Sequence, residues 1–209
     1  MSDELNDVVN HSIELIRAHG AIIIDPVNIT GLDHVQMFND LWFLFRDTFQ
    51  EDIHNYLDQL TNTSIRSLMD IIEFNLNHTD QEFHPEFASD QRNFEICLNQ
   101  TKLSSVDQKH LLNKTRQWGG ELGIDKTLKQ YDLDALIVAD TLYALVMMAS
   151  AAGYPLISVP MGYKQLNGQP FGLIIAGTSW SEPMLLRIAH GLEPVSRVRD
   201  QRRPPYAAP

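Results

Sequence analysis

DLDALIVADTLYALVMMASAAGYPLISVPMGYKQLNGQPFGLIIAGTSWSEPMLLRIAHGLE, residues 132–193, holds most of the continuous apolar sequence and the clearest turn signals. Ala135 to Ala139 is a short run of β-formers between Asp134 and Asp140. That is the pattern of a strand buried on both faces. Thr141 to Ala152 is apolar nearly all round and too long for a second strand, which predicts a buried helix. Gly153 stands where a left-handed glycine stops such a helix. Leu156 to Val159 then predicts a second buried strand. Strand, helix and strand with short links make a βαβ unit, with its two strands parallel. Asn167-Gly168 signals a hairpin, and Phe171 to Ala176 is the antiparallel return strand. After Gly177 the chain turns, Ser181 is placed to cap, and Glu182 to Glu193 reads as an amphipathic helix.

Upstream, Asp3 to His19 has helical spacing, and Gly20 is a stop. Ala21 to Ile24 predicts a short buried strand closed by Asp25-Pro26. His34 to Leu60 carries Val35, Phe38, Leu41, Trp42, Phe45, Phe49, Ile53, Tyr56 and Leu57 at three-to-four spacing, the pattern of one long helix or two in line. Such a stripe is core more often than a pocket lining. Ser67 to Asn75, Asp90 to Leu98, about Ser105 to Trp118 and about Ile124 to Tyr131 predict further helices, with Gly119-Gly120 weakening the join between the last two. The segment 34–130 is thus mostly helical and expected to cover a sheet made by the flanking strands. With no Pro/Ser-rich linker, residues 1–209 read as a single partial domain. The tail 194–209 has no apolar period and reads as mobile or surface-wrapping.

The 209 residues are 44% hydrophobic and 21% charged, with a net charge of −11. That is enough for a core. The charge repels nucleic acid and anionic lipid, so neither is expected as a partner, and no apolar run approaches a membrane span. The opening MSDELNDVVNHSIELIR is acidic and amphipathic, unlike a signal peptide, which reads as cytoplasmic. Against that, Asn10, Asn28, Asn62, Asn77, Asn99 and Asn113 each stand in N-x-[ST], which matters in a secreted parent. Cys97 is alone, so no internal disulfide forms.

The stretches LDALIVAD (133–140), AAGYPLISVPMGY (151–163), GQPFGLIIAG (168–177) and WSEPMLLRIAHGLE (180–193) together resemble the C-terminal end of the amidase-signature hydrolases. IRAHGAIIID (16–25), RSLMDIIEFN (66–75) and GIDKTLKQYDLDAL (123–136) extend the resemblance more loosely. It implies an α/β fold, a partial α/β/α sandwich with a mixed sheet covered by helices. It also implies amide-bond cleavage through a Ser–cis-Ser–Lys triad, with a small-molecule amide substrate for the full-length form. The family's Gly/Ser-rich loop and lysine segment do not occur here; they belong to the N-terminal half. The chain is therefore expected to be the later half of such an enzyme, with no catalytic residue of its own. Half a sheet leaves an unpaired edge, which calls for a partner: the missing half, or a second copy.

Ligands of open α/β sheets sit outside the carboxyl ends of the parallel strands. That singles out Asp140, Thr141, Tyr143 and Met161 as substrate-pocket residues. Family members commonly carry proline where Asp140 stands, and its carboxylate is expected to cap the following helix rather than select substrate.

Three other chemistries are weighed and set aside. His78, Asp80, Glu82 and His84 alternate in the polar stretch 77–87, but this reads as a solvated loop with no rigid element to fix a metal. Gly119-Gly120 precedes Glu121, whose charge opposes phosphate, and nothing asks for a cofactor. Gly177-Thr178-Ser179-Trp180-Ser181 has the strand–turn–helix setting of a nucleophile elbow, but serine replaces the final glycine. His190, on the same helix, points along it rather than back at Ser179. Tyr154-Pro155 is expected to be trans.

Overall fold

A computed structural model describes residues 3–139, 143–163 and 168–198. The chain divides into two compact units: residues 1–34 with 114–209, and residues 35–113. The expected turn at 167 and the tail beyond 198 lie outside the described residues.

The first unit is built on three strands, β1 (Leu136–Ala139), β2 (Leu156–Tyr163) and β3 (Pro170–Ala176), in the order β1-β3-β2. Both ladders are antiparallel. β1 and β2 run in the same direction, as a strand–helix–strand unit requires, with the return strand between them. The register aligns Leu136, Ala176 and Leu156 at one end. β2 runs to Tyr163, four residues past the expected Val159, because its ladder with β3 continues to Tyr163↔Pro170. The register shifts between Pro160 and Gly162, so Met161 is the extra residue of a bulge.

Side chains alternate along β3. Phe171, Leu173 and Ile175 join Ile16 of α1 (Asp3–Ala18), Val159 and Met161 of β2, and Leu185, Ala189 and Leu192 of α9 (Glu182–Ser196) in one core cluster. The cover seen on this face thus comes from α1 and α9. α9 outruns its expected end at Glu193, with Pro194 inside its last turn. Ser181 occupies the N-cap position but does not cap: its hydroxyl donates back to the Thr178 carbonyl at 2.6 Å.

The strand expected at Ala21–Ile24 does not form; residues 21–25 are assigned to no strand, and Ile22 is 91% exposed. A short apolar run becomes a strand only where a ladder partner lies beside it. Ile23 instead packs on the cluster around β3. Asp25-Pro26 is the cis peptide of the described chain, and Tyr154-Pro155 is trans.

The glycine pair Gly119-Gly120 does not interrupt the helix it follows. α6 (Ser105–Gly119) runs through a π-helical turn, Gly120–Ile124, into α7 (Asp125–Tyr131). The reason is tertiary. A Cβ on Gly119 would strike the Met148 carbonyl of α8 (Tyr143–Ala152), and one on Gly120 would lie 2.8 Å from Tyr154 Oη. Missing side chains here let the backbone approach α8, where Leu145, Met148 and Ala149 are wholly buried. α8 ends at Gly153, in the left-handed region at φ 72°, as expected. The Gly31 loop is tied to this assembly: Trp118 Nε1 donates to Gly31 O at 3.0 Å, and Thr30 N donates to Thr127 Oγ1 at 2.9 Å.

The second unit holds α2 (Val35–Leu57), α3 (Leu68–Asn77), the single turn α4 (Thr79–Glu82), α5 (Arg92–Asn99) and the first part of α6. The aromatic stripe of α2 divides. Phe49 and Ile53 pack against Leu68, Ile72 and Cys97, while Trp42, Phe45 and Tyr56 face outward. Asp47, 4% exposed, accepts from Leu103 N at 2.8 Å and Gln108 Nε2 at 3.1 Å, which satisfies a buried carboxylate. The stretch 77–87 is more ordered than a loop. α4 is followed by a bridge between His84 and Ala88, and the His78 and His84 rings lie against Phe74 and Phe87. Among the described residues no three His, Cys, Asp or Glu side chains are grouped to hold a metal, and no helix is long and apolar enough to cross a membrane.

α3 begins with a capping box: Asp70 N donates to Ser67 Oγ at 3.1 Å, and Ser67 N donates to Asp70 Oδ2 at 3.0 Å. Ser67→Ala is expected to cost about 1 kcal/mol, seen as a lower denaturant midpoint with unchanged slope. The donated backbone bond from Arg66, then the Ser67 hydroxyl, hold the Asp70 carboxyl below its ordinary value. That contribution is present above the unfolded value of 3.8 and is lost as pH falls through the lower folded value.

Candidate functional site

Two groups of polar or exposed residues deserve comparison, and the register of the sheet separates them. The carboxyl ends of β1 and β2 share one end of the sheet, because Ala139 and Val159 both pair with Leu173. At this end the chain leaves β1 toward Asp140 and Thr141, which lie outside the described residues. Tyr143, the first residue of α8, is 57% exposed. Met161 turns its side chain inward, 8% exposed, into the cluster with Phe171 and Ile16.

Ser179 belongs to the opposite end, beyond Ala176 at the carboxyl end of β3. Roughly 10 Å of strand separates the two ends. Ser179 is exposed, and its hydroxyl and that of Thr178 lie near enough to Tyr154 to act on its phenol. In this turn the left-handed residue is Trp180, at φ 60° and 89% exposed, rather than the serine of a strained elbow. His190 lies more than two turns into α9 and is exposed. The geometry gives Ser179 a phenol for a neighbour, which is no base.

That phenol heads a small polar network that the sequence does not signal. Tyr154 Oη donates to Asp125 Oδ2 at 2.5 Å. Burial first, then the Asp125 bond and charge, push the Tyr154 phenol from its ordinary 10.0 up to about 12; the Thr178 and Ser179 hydroxyls pull weakly the other way. The ring is therefore a proton donor throughout the physiological range. Asp125 Oδ1 is buried with no hydrogen-bond partner among the described residues. The residues are 29 positions apart along the chain, on the first turn of α7 and just before β2. The missing side chain at Gly120 leaves room for the Tyr154 phenol beside Asp125.

A phenol whose folded value is raised stabilises the fold below the unfolded value near 10 and loses that contribution as pH rises toward about 12. Ultraviolet difference titration of the wild type against Tyr154→Phe is expected to show one tyrosine ionising later than the rest. A Tyr154→Phe difference spectrum centred near 10 would contradict the assignment.

In sequence and in fold the chain is similar to proteins named as amidases. It is 29% identical over 92% of its length to a protein of Schizosaccharomyces pombe named as an amidase. It is 28% identical over 93% of its length to one so named in Arabidopsis thaliana. Its structure superposes on that of the peptide amidase of Stenotrophomonas maltophilia with a TM-score of 0.76 and 27% identity over 96% of the chain. The chain spans 36% and 37% of the length of those two curated relatives and 41% of the peptide amidase chain. No protein-family model matches it.

Proposed function

We propose that this chain is the C-terminal portion of an amidase-signature hydrolase, contributing scaffold and substrate-pocket wall and catalytically silent alone. The observation that carries this reading is the coverage: nearly the whole chain superposes on well under half of the peptide amidase. In the intact enzyme a serine opens the amide carbonyl through an acyl-enzyme, with backbone amides holding the oxyanion. In this reading the nucleophile and its lysine come from the upstream portion. In the same reading Asp140, Thr141, Tyr143 and Met161 belong to the substrate pocket of the intact enzyme, and the Asp140 carboxylate serves as a helix cap rather than a substrate selector. The separation of Ser179 from that end of the sheet supports the absence of a resident nucleophile.

The test is hydrolysis of a small peptide amide by the purified chain, with a fluorophosphonate probe to report any activated serine. No turnover and no label are expected. Turnover accompanied by labelling of Ser179 would sink the proposal.

A second reading, a non-catalytic dimerising protein, rests on the sheet edges: the outer edges of β1 and β2 have no ladder partner among the described residues. Size-exclusion of the purified chain separates the two readings, since a discrete dimer favours this one.

A further inference from the structure

Serine and threonine together make up about one residue in ten of this chain. Twelve asparagines scattered at random would leave roughly one in an N-x-[ST] sequence, with x not proline. Six of the twelve do: Asn10, Asn28, Asn62, Asn77, Asn99 and Asn113. The structure adds a second, independent fact: all six are exposed. They are also spread over both units. Asn10 lies on α1, Asn28 in the loop before α2, and Asn113 on α6. Asn62 sits between α2 and α3 with a left-handed backbone, φ 61°. Asn77 and Asn99 are the last residues of α3 and α5. Each position can carry a bulky polar group in solvent without displacing a core side chain.

We infer that these six asparagines are acceptors for N-linked oligosaccharide and that the parent protein passes through a glycosylating, secretory compartment. The donor is of the lipid-linked pyrophosphoryl oligosaccharide class. The asparagine Nδ2 attacks C1 of the first sugar, the C1–O bond to pyrophosphate breaks, and lipid pyrophosphate leaves with the electron pair. The C1–Nδ2 bond forms as the amide sheds one proton. Asn99 Nδ2 donates to Glu95 O at 2.8 Å, and a glycosylated amide retains one N–H. The single cysteine suits the same compartment. Cys97 is buried against Leu68 and Ile72, so an oxidising environment has no exposed thiol to attack; burial also raises its pKa.

The experiment is site mapping on the protein isolated from its own cells, by peptide:N-glycosidase digestion in isotopically heavy water. Each released glycan then leaves a labelled aspartate. Label at half or more of the six positions is expected; label at fewer than half overturns the inference. A second measurement expresses the chain behind a secretory leader in yeast. Folded, glycosylated chain in the medium is expected, its mobility stepping down as each asparagine is changed to glutamine. Retention of the glycosylated chain, relieved by removing the acceptors (Asn62→Gln with Asn77→Gln and Asn99→Gln), would also overturn it. Neither measurement depends on amide hydrolysis, so the inference stands or falls apart from the proposed function.

Discussion

Gly119→Ala is expected to lower the stability of the chain by roughly 2–3 kcal/mol, the cost of overpacking a site that cannot relax. The added methyl would overlap the carbonyl oxygen of Met148 and press the backbone nitrogen of Ala152. Both belong to the backbone of α8, so no rotamer change relieves the clash; the helix itself must move. α8 is poorly placed to move, since Leu145, Met148 and Ala149 have no exposed surface. At this chain length the loss corresponds to a fall in melting temperature of about 4–12 °C. Gly191→Ala is the matched control. Gly191 lies inside α9 and an added Cβ meets nothing within 4 Å. Replacing a helical glycine there should raise stability by about 0.5–1 kcal/mol. Paired calorimetric scans decide the matter: equal shifts of the same sign in the two variants would show that the close approach of the π turn to α8 is not what Gly119 provides.

Ile175→Ala should cost about 3–4 kcal/mol, the larger of the two effects. Ile175 is fully buried on the central strand, with Ile137 opposite it in β1 and Ile157 in β2. It also packs in the cluster that α1 and α9 close. Truncation removes the transfer energy of three carbons and leaves a cavity walled by two strands and two helices, which cannot collapse together. The control is Ile22→Ala, at a residue 91% exposed, for which a change within about 0.5 kcal/mol is expected. Chemical denaturation reads both. A loss below about 1 kcal/mol at Ile175 would mean that the central strand is not the keystone of the first unit.

The route from residues to strands and helices in 132–193 is largely local. β-branched runs, a left-handed glycine at Gly153 and an amphipathic period from Glu182 each act within a few residues, so they can be read without knowing what lies beside them. Ser67 with Asp70 is the same kind of signal, complete within four positions. The candidate pocket rests on a rule of another kind. Ligands of open α/β sheets sit beyond the carboxyl ends of parallel strands, and the register places Ala139 and Met161 toward that end of the sheet, with Ser179 at the other.

What the residues alone determine is therefore whatever short-range energetics decide: most of the helices and strands of 132–193, the chain's acidity, and its six N-x-[ST] sequences. The partners of those segments were settled only by folding. Ala21–Ile24 has a strand's composition and no ladder. Gly119-Gly120 has a breaker's composition and instead carries a continuous helix past the Met148 carbonyl. Tyr154 and Asp125 share a proton-donating bond across 29 residues of chain. In each case the deciding atom lies far away in sequence, and close packing, which acts between whatever surfaces meet, has no sequence period to announce it.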